Sequence, residues 1–213
     1  FINMSKIIAI MLLLCCGMML FGCADDNGRR KAEQQKTIVV TDSVGRKVEL
    51  PYPLERVAVC NVYNAELITA VGAIDKIVGV DNYIFKDQSG FKNRFNEAQV
   101  FGISQNAMNY EKLAELAPQA VIITGEGTWR DAQEMLDRFG IKVIVINSYY
   151  TDQFADNCRL IGRIFGREEQ AEELVNYFND KLAYIQKQLQ GVPRRSLYLS
   201  LIHISEPTRL QLI

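Results

Sequence analysis

Four short runs of β-branched and aliphatic residues recur along this chain: 56–60 (RVAVC), 76–80 (KIVGV), 120–124 (AVIIT) and 142–146 (KVIVI). Each is an almost continuous apolar stretch. A strand with one wet face alternates apolar and polar residues; a strand covered on both faces does not. Between the runs lie helical signals. Residues 64–73 offer Asn64 as an N-cap and Glu66 in the first turn. Asn109 precedes a helix over 110–116, which Pro118 stops. Residues 129–139 are amphipathic and end at Gly140. Strand and helix in alternation predict an α/β fold with a parallel sheet flanked by helices.

The flanks read differently. Residues 37–42 (TIVVTD) and 46–50 (RKVEL) surround Ser43-Val44-Gly45, a β-hairpin signal that Pro51 and Pro53 end. Residues 81–107 are rich in Asn, Gly, Phe and Gln and show no period. Residues 152–165 are helical in pattern up to Gly166. Residues 168–190 then run without Gly or Pro, with Leu174, Tyr177, Phe178, Leu182, Ile185 and Leu189 at helical spacing. At 1.5 Å per residue that helix would be roughly 35 Å long. Such a length suggests a strut between two lobes; the alternative is a helix packed along one lobe. After Gly191-Val192-Pro193, the segment from Arg194 reads as another strand.

In open parallel sheets, ligands bind outside the carboxyl ends of the strands. The segments to watch are therefore 61–64, 81–85, 125–129 and 147–150. Their candidate ligand contacts are Asn61, Tyr63, Asn64, Tyr83, Phe85, Gly125, Glu126, Trp129 and Tyr149. The rings suit a large flat or apolar ligand; the same rings would equally cap the core and anchor loops. No Arg or Lys cluster marks these segments, Arg130 being the nearest basic residue.

Several chemistries are excluded or weakened. There is no G-x-S-x-G elbow and no phosphate loop. Gly125-Glu126-Gly127 follows a strand but lacks the third glycine of a dinucleotide fingerprint. The single histidine, His203, lies near the C-terminus, which removes histidine catalysis and histidine metal ligation from the domain body. A net charge of −1 gives no nucleic-acid footprint. Of five cysteines, Cys60 and Cys158 fall in the domain; an oxidising compartment would let them pair, but a strand end and a helix position favour two buried free thiols. The domain is built to bind: no catalytic residue, metal set or cofactor is assigned. The alternatives are an extracytoplasmic enzyme using Glu126 and a structural lipoprotein.

The N-terminal segment has its own signature. Lys6 precedes about 15 apolar or small residues, short of the roughly 20 that span a membrane. They end in Leu20-Phe21-Gly22-Cys23, which resembles a bacterial lipobox. Residues 1–22 are thus expected to be a lipoprotein signal peptide, with Met4 as the start. Cys23 would carry the lipid, and 23–36 would form a polar, flexible tether. The expected location is extracytoplasmic, anchored to a bacterial membrane.

From 37 to about 199 the chain resembles the class III solute-binding proteins of ABC importers. The motifs that carry the resemblance come in order: TIVVTDSVGRKVELP, ERVAVCNVYNAELITAVGAIDKIVGVD, NYEKLAELAPQAVIIT, and LIGRIFGREEQAEEL leading into the long helix. The resemblance implies a Rossmann-like N-terminal lobe over 37–165, a strut helix over 166–190 and the start of a second lobe over 191–199. It implies a ligand held between the lobes: an iron(III)–siderophore, haem or cobalamin. It also implies an ABC permease as partner, met through an acidic residue on each lobe, with Glu111 at the matching N-lobe position, and a monomer in solution. The family continues well past the point where this chain stops. The tail over 200–213 resembles translated sequencing adapter and is expected to be non-native.

Overall fold

The structure, a computed structural model, describes residues 36–87 and 90–193. The signal segment, Cys23, the tether before Lys36, the strand expected from Arg194 and the 200–213 tail lie outside the described residues.

The hairpin forms as expected. Strands β1 (Thr37–Thr41) and β2 (Lys47–Pro51) pair antiparallel. Gly45 supplies the positive φ, +80°, at the turn. The buried Asp42 carboxylate accepts from the Val44 and Arg46 backbone N–H groups and pairs with the Arg46 guanidinium at 2.6 Å. The turn is therefore fixed from inside.

The central sheet consists of β3 (Val57–Val59), β4 (Ile77–Val80), β5 (Ala120–Ile123) and β6 (Lys142–Val145), all parallel, in the order β4-β3-β5-β6. Each strand is shorter than its apolar run. Past the formal ends, Cys60 N–H donates to Ile122 O and Ile146 N–H donates to Ile123 O, so the ladder continues before the chain leaves the sheet.

Helices cover both faces because successive strand residues point to opposite sides. On one face Val57, Val59, Ile122 and Ile144 share a core with Ile68 of α1 (Val62–Ala70) and with Ile161 and Ile164 of α5 (Phe154–Phe165). On the other, Ala58, Val121, Ile123 and Val143 meet Leu113 of α3 (Tyr110–Leu116) and Ala132 and Leu136 of α4 (Trp129–Asp137). Each such Ile, Leu or Val contributes about 1.5–3 kcal/mol by burial.

Three expectations shift. Helix α1 starts at Val62 and is capped by Asn61, whose Oδ1 accepts from Tyr63 N–H. Asn64 is a buried residue of its first turn: Nδ2 donates to Cys60 O at 3.2 Å and Oδ1 accepts from Ser148 Oγ at 2.6 Å. The aperiodic 81–107 stretch contains a short α2 (Asn82–Lys86), capped by Asp81, and a 3-10 turn over Glu97–Gln99. The long helix α6 runs Glu168–Gln188, 21 residues, which makes it about 32 Å long.

The first half of α6 packs on α5. Gly162 permits this, since a Cβ there would lie 2.4 Å from the Ala171 Cβ. The Phe154 and Phe178 rings stack with centroids 4.1 Å apart. Every residue from 179 to 190 is exposed, Leu182, Ile185 and Leu189 included. Cys60 and Cys158 are free, buried thiols. Burial holds the Cys60 thiol well above its ordinary pKa and pushes Cys158 up to about 12.

Candidate functional site

From β3 the chain crosses to β4 on one side; from there it crosses to β5 on the other. The crevice where the order reverses is where open parallel sheets accept ligands. A cavity of about 600 Å³ lies there. Asn61, Tyr63 and Glu66 follow β3; Asp81 and Tyr83 follow β4; Thr124, Glu126 and Gly127 follow β5. The remaining wall is the 104–106 loop, with Gln105 and Asn106.

The floor is organised by Asp81, 2% exposed. Its carboxylate accepts from Asn61 N–H at 3.0 Å and Ile84 N–H at 2.9 Å. One side chain therefore holds the loop after β3 to the cap of α2. It also stabilises Asn61 at φ +77°, ψ 127°, a backbone conformation that L side chains rarely adopt. Burial raises the Asp81 pKa; the backbone donors act against that rise but do not cancel it. The folded state thus holds the Asp81 proton more tightly than the unfolded chain. The stability this adds is complete below the ordinary aspartate value of 3.8 and is lost as pH rises through the folded pKa. We expect Asp81→Ala to cost about 1–3 kcal/mol, from stranded backbone donors. Its penalty should be largest in acid and shrink as pH climbs. Urea denaturation of both proteins between pH 4 and 7 measures this; a penalty that grows with pH would contradict it.

The upper wall is interlocked by side chains of the 104–106 loop. Gln105 Oε1 accepts from Thr124 N–H at 3.0 Å and from Thr124 Oγ1 at 2.8 Å, while its Nε2 donates to Glu126 O. Thr128 Oγ1 donates to Asn106 Oδ1. Gly127 sits at φ +79°, and a Cβ there would fall 2.4 Å from Asn106 Oδ1, so the two loops meet without room for a side chain. Tyr149 reaches over from the loop after β6, and its hydroxyl donates to Glu126 Oε1 at 2.9 Å. Burial, then Tyr150 and Glu126, raise the Tyr149 pKa, so the hydroxyl keeps its proton.

The structure brings Asn61, Tyr63, Tyr83 and Glu126 together on the cavity. Gly125 stands behind the wall, its N–H donating to Asn147 Oδ1 at 2.7 Å. Tyr149 orients Glu126, and Asn64 braces the start of α1 against Ser148. Phe85 is half-buried and packs against the core. Trp129 is not at the cavity. It is 9% exposed in the second core, with the Arg46 and Arg130 guanidinium groups 4.3 and 4.1 Å from its ring. The phase of α4 explains this: Trp129, Ala132 and Leu136 form its buried stripe. Glu111 is exposed in the first turn of α3, which Asn109 caps through Lys112 N–H.

Sequence reasoning does not single out Glu66, Asp81, Gln105, Asn106 or Thr124 as site residues. Asp81 was findable as a carboxylate directly after an apolar run, where it caps the next helix. Gln105 carries no local signal. Among the described residues, no three His, Cys, Asp or Glu side chains converge to hold a metal ion.

Comparison with known proteins agrees with this architecture. The sequence model of the family described as periplasmic binding protein matches residues 57–201. A periplasmic solute-binding protein from Veillonella parvula is 27% identical, with TM-score 0.60 over 75% of this chain and 50% of its own. The petrobactin-binding protein YclQ from Bacillus subtilis is 17% identical, with TM-score 0.64 over 75% and 56%. The molybdate-binding protein MolA from Haemophilus influenzae is 20% identical, with TM-score 0.63 over 73% and 55%. The chain thus spans about half the length of each of these structures. No curated protein sequence matches it. With the family model matched over most of its length and the same parallel sheet beneath, the chain belongs to the periplasmic binding protein family.

Proposed function

We propose that this chain is the N-terminal lobe and strut of an extracytoplasmic substrate-binding lipoprotein. It serves an ABC importer, capturing an iron(III) complex (siderophore or haem) or cobalamin and handing it to the permease. The observation that carries the reading is the cavity of about 600 Å³ at the sheet's switch point. Its size falls in the range of small-molecule sites. Its lining of tyrosines, amides, hydroxyls and the Glu66 and Glu126 carboxylates offers a ligand hydrogen bonds, ring faces and charge. Asn61, Tyr63, Tyr83 and Glu126 touch the ligand in this reading; Asn64, Gly125 and Tyr149 hold them in place. Phe85 and Trp129 serve the core.

Cys23 carries the lipid, 24–36 gives the lobe reach, and Glu111 docks on basic residues of the permease. The protein works as a monomer, binding without covalent chemistry.

Isothermal titration of the protein with haem, cobalamin and ferric siderophores tests the reading. One of these is expected to bind with micromolar or tighter affinity, about −8 kcal/mol. Glu111→Ala should leave that affinity unchanged and lower cellular uptake. Failure of every ligand sinks the proposal; an altered affinity in Glu111→Ala removes that residue from docking.

A further inference from the structure

We propose that this lobe selects its ligand by charge. Resting on the importer reading above, the cavity takes a chelate or corrinoid with a positive pole, held between the Tyr63 and Tyr83 rings and the Glu66 and Glu126 carboxylates.

The walls carry two carboxylates and, among the described residues, no lysine or arginine. Some carboxylates elsewhere already hold a cation. Asp42 pairs with Arg46, Glu55 with Lys76, Glu115 with Lys112 and Glu172 with Arg159. Glu66 and Glu126 form no such ion pair among the described residues, and Glu126 is held by a neutral hydroxyl. The Asp81 carboxyl on the floor is bonded to backbone N–H groups and adds no positive charge.

Some aromatic rings elsewhere also hold a cation. Tyr52 carries Lys36 over its face, Tyr177 carries Lys181, and the Trp129 ring has the Arg46 and Arg130 guanidinium groups against it. Tyr63 and Tyr83 are 55% and 62% exposed at the cavity, and among the described residues no cation covers either ring. Tyrosine faces and carboxylates lining one hollow attract a cation twice, through the ring quadrupole and through direct charge. An anionic complex meets only like charge here. Gln105, Asn106 and Thr124 are neutral and serve any ligand that hydrogen-bonds.

The test holds ligand shape fixed and varies charge. Ferrioxamine B bears a free ammonium group, and its N-acetylated form is neutral. Aquocobalamin is a cation at neutral pH, and cyanocobalamin is neutral. On the scaffold that binds, the cationic member is expected to bind about tenfold more tightly, a difference of 1.4 kcal/mol. The preference should weaken with added salt. It should vanish in the Glu66→Gln/Glu126→Gln double variant, whose circular dichroism should match the parent. Equal binding of the two members overturns charge selection and leaves the importer reading standing. A preference that survives in the double variant overturns the role of these carboxylates. Binding of neither scaffold in either form overturns the importer reading for these ligands and this proposal with it.

Discussion

Replacing Phe101 by alanine is expected to destabilise the lobe by about 3–5 kcal/mol, the range for removing a buried aromatic ring. For a domain of this size that lowers the melting temperature by roughly 10 °C or more. Phe101 is 1% exposed and lies in the second core with Leu113 and Val121. Its ring lies against the open face of Gly79 in β4, where a Cβ would be 3.1 Å from Phe101 Cδ1. The backbone is engaged too. Phe101 N–H donates to Val80 O, its carbonyl accepts from Asn109 N–H at 2.7 Å, and Val100 bridges to Val80 beside the sheet edge.

Removing the ring therefore opens a cavity where the 101–109 segment is fastened to β4. That segment includes the 104–106 loop, which walls the cavity at the switch point. Ligand affinity should fall together with stability. Phe101→Leu keeps most of the volume and should cost less than half as much. Urea denaturation with an unchanged slope would confirm a native-state packing loss. A cost below about 1 kcal/mol would show that the segment is not held by this ring.

Phe101 also marks the boundary of what a sequence of this kind discloses. The strands were readable because burial on both faces leaves a local imprint, a continuous β-branched run. Helix α3 was readable because Asn109, a first-turn glutamate and Pro118 sit within ten residues of one another. Phe101 lies in a stretch with no period, and its burial depends on Gly79, some twenty residues away. The start of α1 fails for a related reason. Asn61 and Asn64 are equally good caps by type, and the decision comes from Asp81, which accepts Asn61 N–H from the next strand end. Trp129 shows a different error. Its position at a strand end pointed to the ligand, while its phase with Ala132 and Leu136 pointed to the core, and the phase decided. The location of the cavity followed from topology, but the residues that shape its wall came from a loop without any pattern.

Gln105 is the strongest instance, and its removal should separate binding from folding. Gln105→Ala withdraws the acceptor from the N–H and hydroxyl of Thr124, which is 4% exposed, and the donor from Glu126 O. Stranding a buried backbone donor costs about 1–3 kcal/mol. The larger consequence is for binding. Glu126 and Gly127 would then be tied to the 104–106 loop only through Thr128, which bonds Asn106 Oδ1 and Gln105 O, and the Glu126 backbone would lose its anchor while Tyr149 alone holds the carboxylate. Affinity for the bound complex is expected to fall tenfold or more, because an unorganised contact must be ordered during binding. Thr124→Val is the informative comparison. It deletes the hydroxyl, costing about 1 kcal/mol of stability, and leaves the Gln105 amide on Glu126 O. Its affinity should stay near that of the parent. If the two variants weaken binding equally, the wall is shaped through Thr124. If only Gln105→Ala does so, a glutamine in the least patterned part of the chain sets the geometry of its binding site.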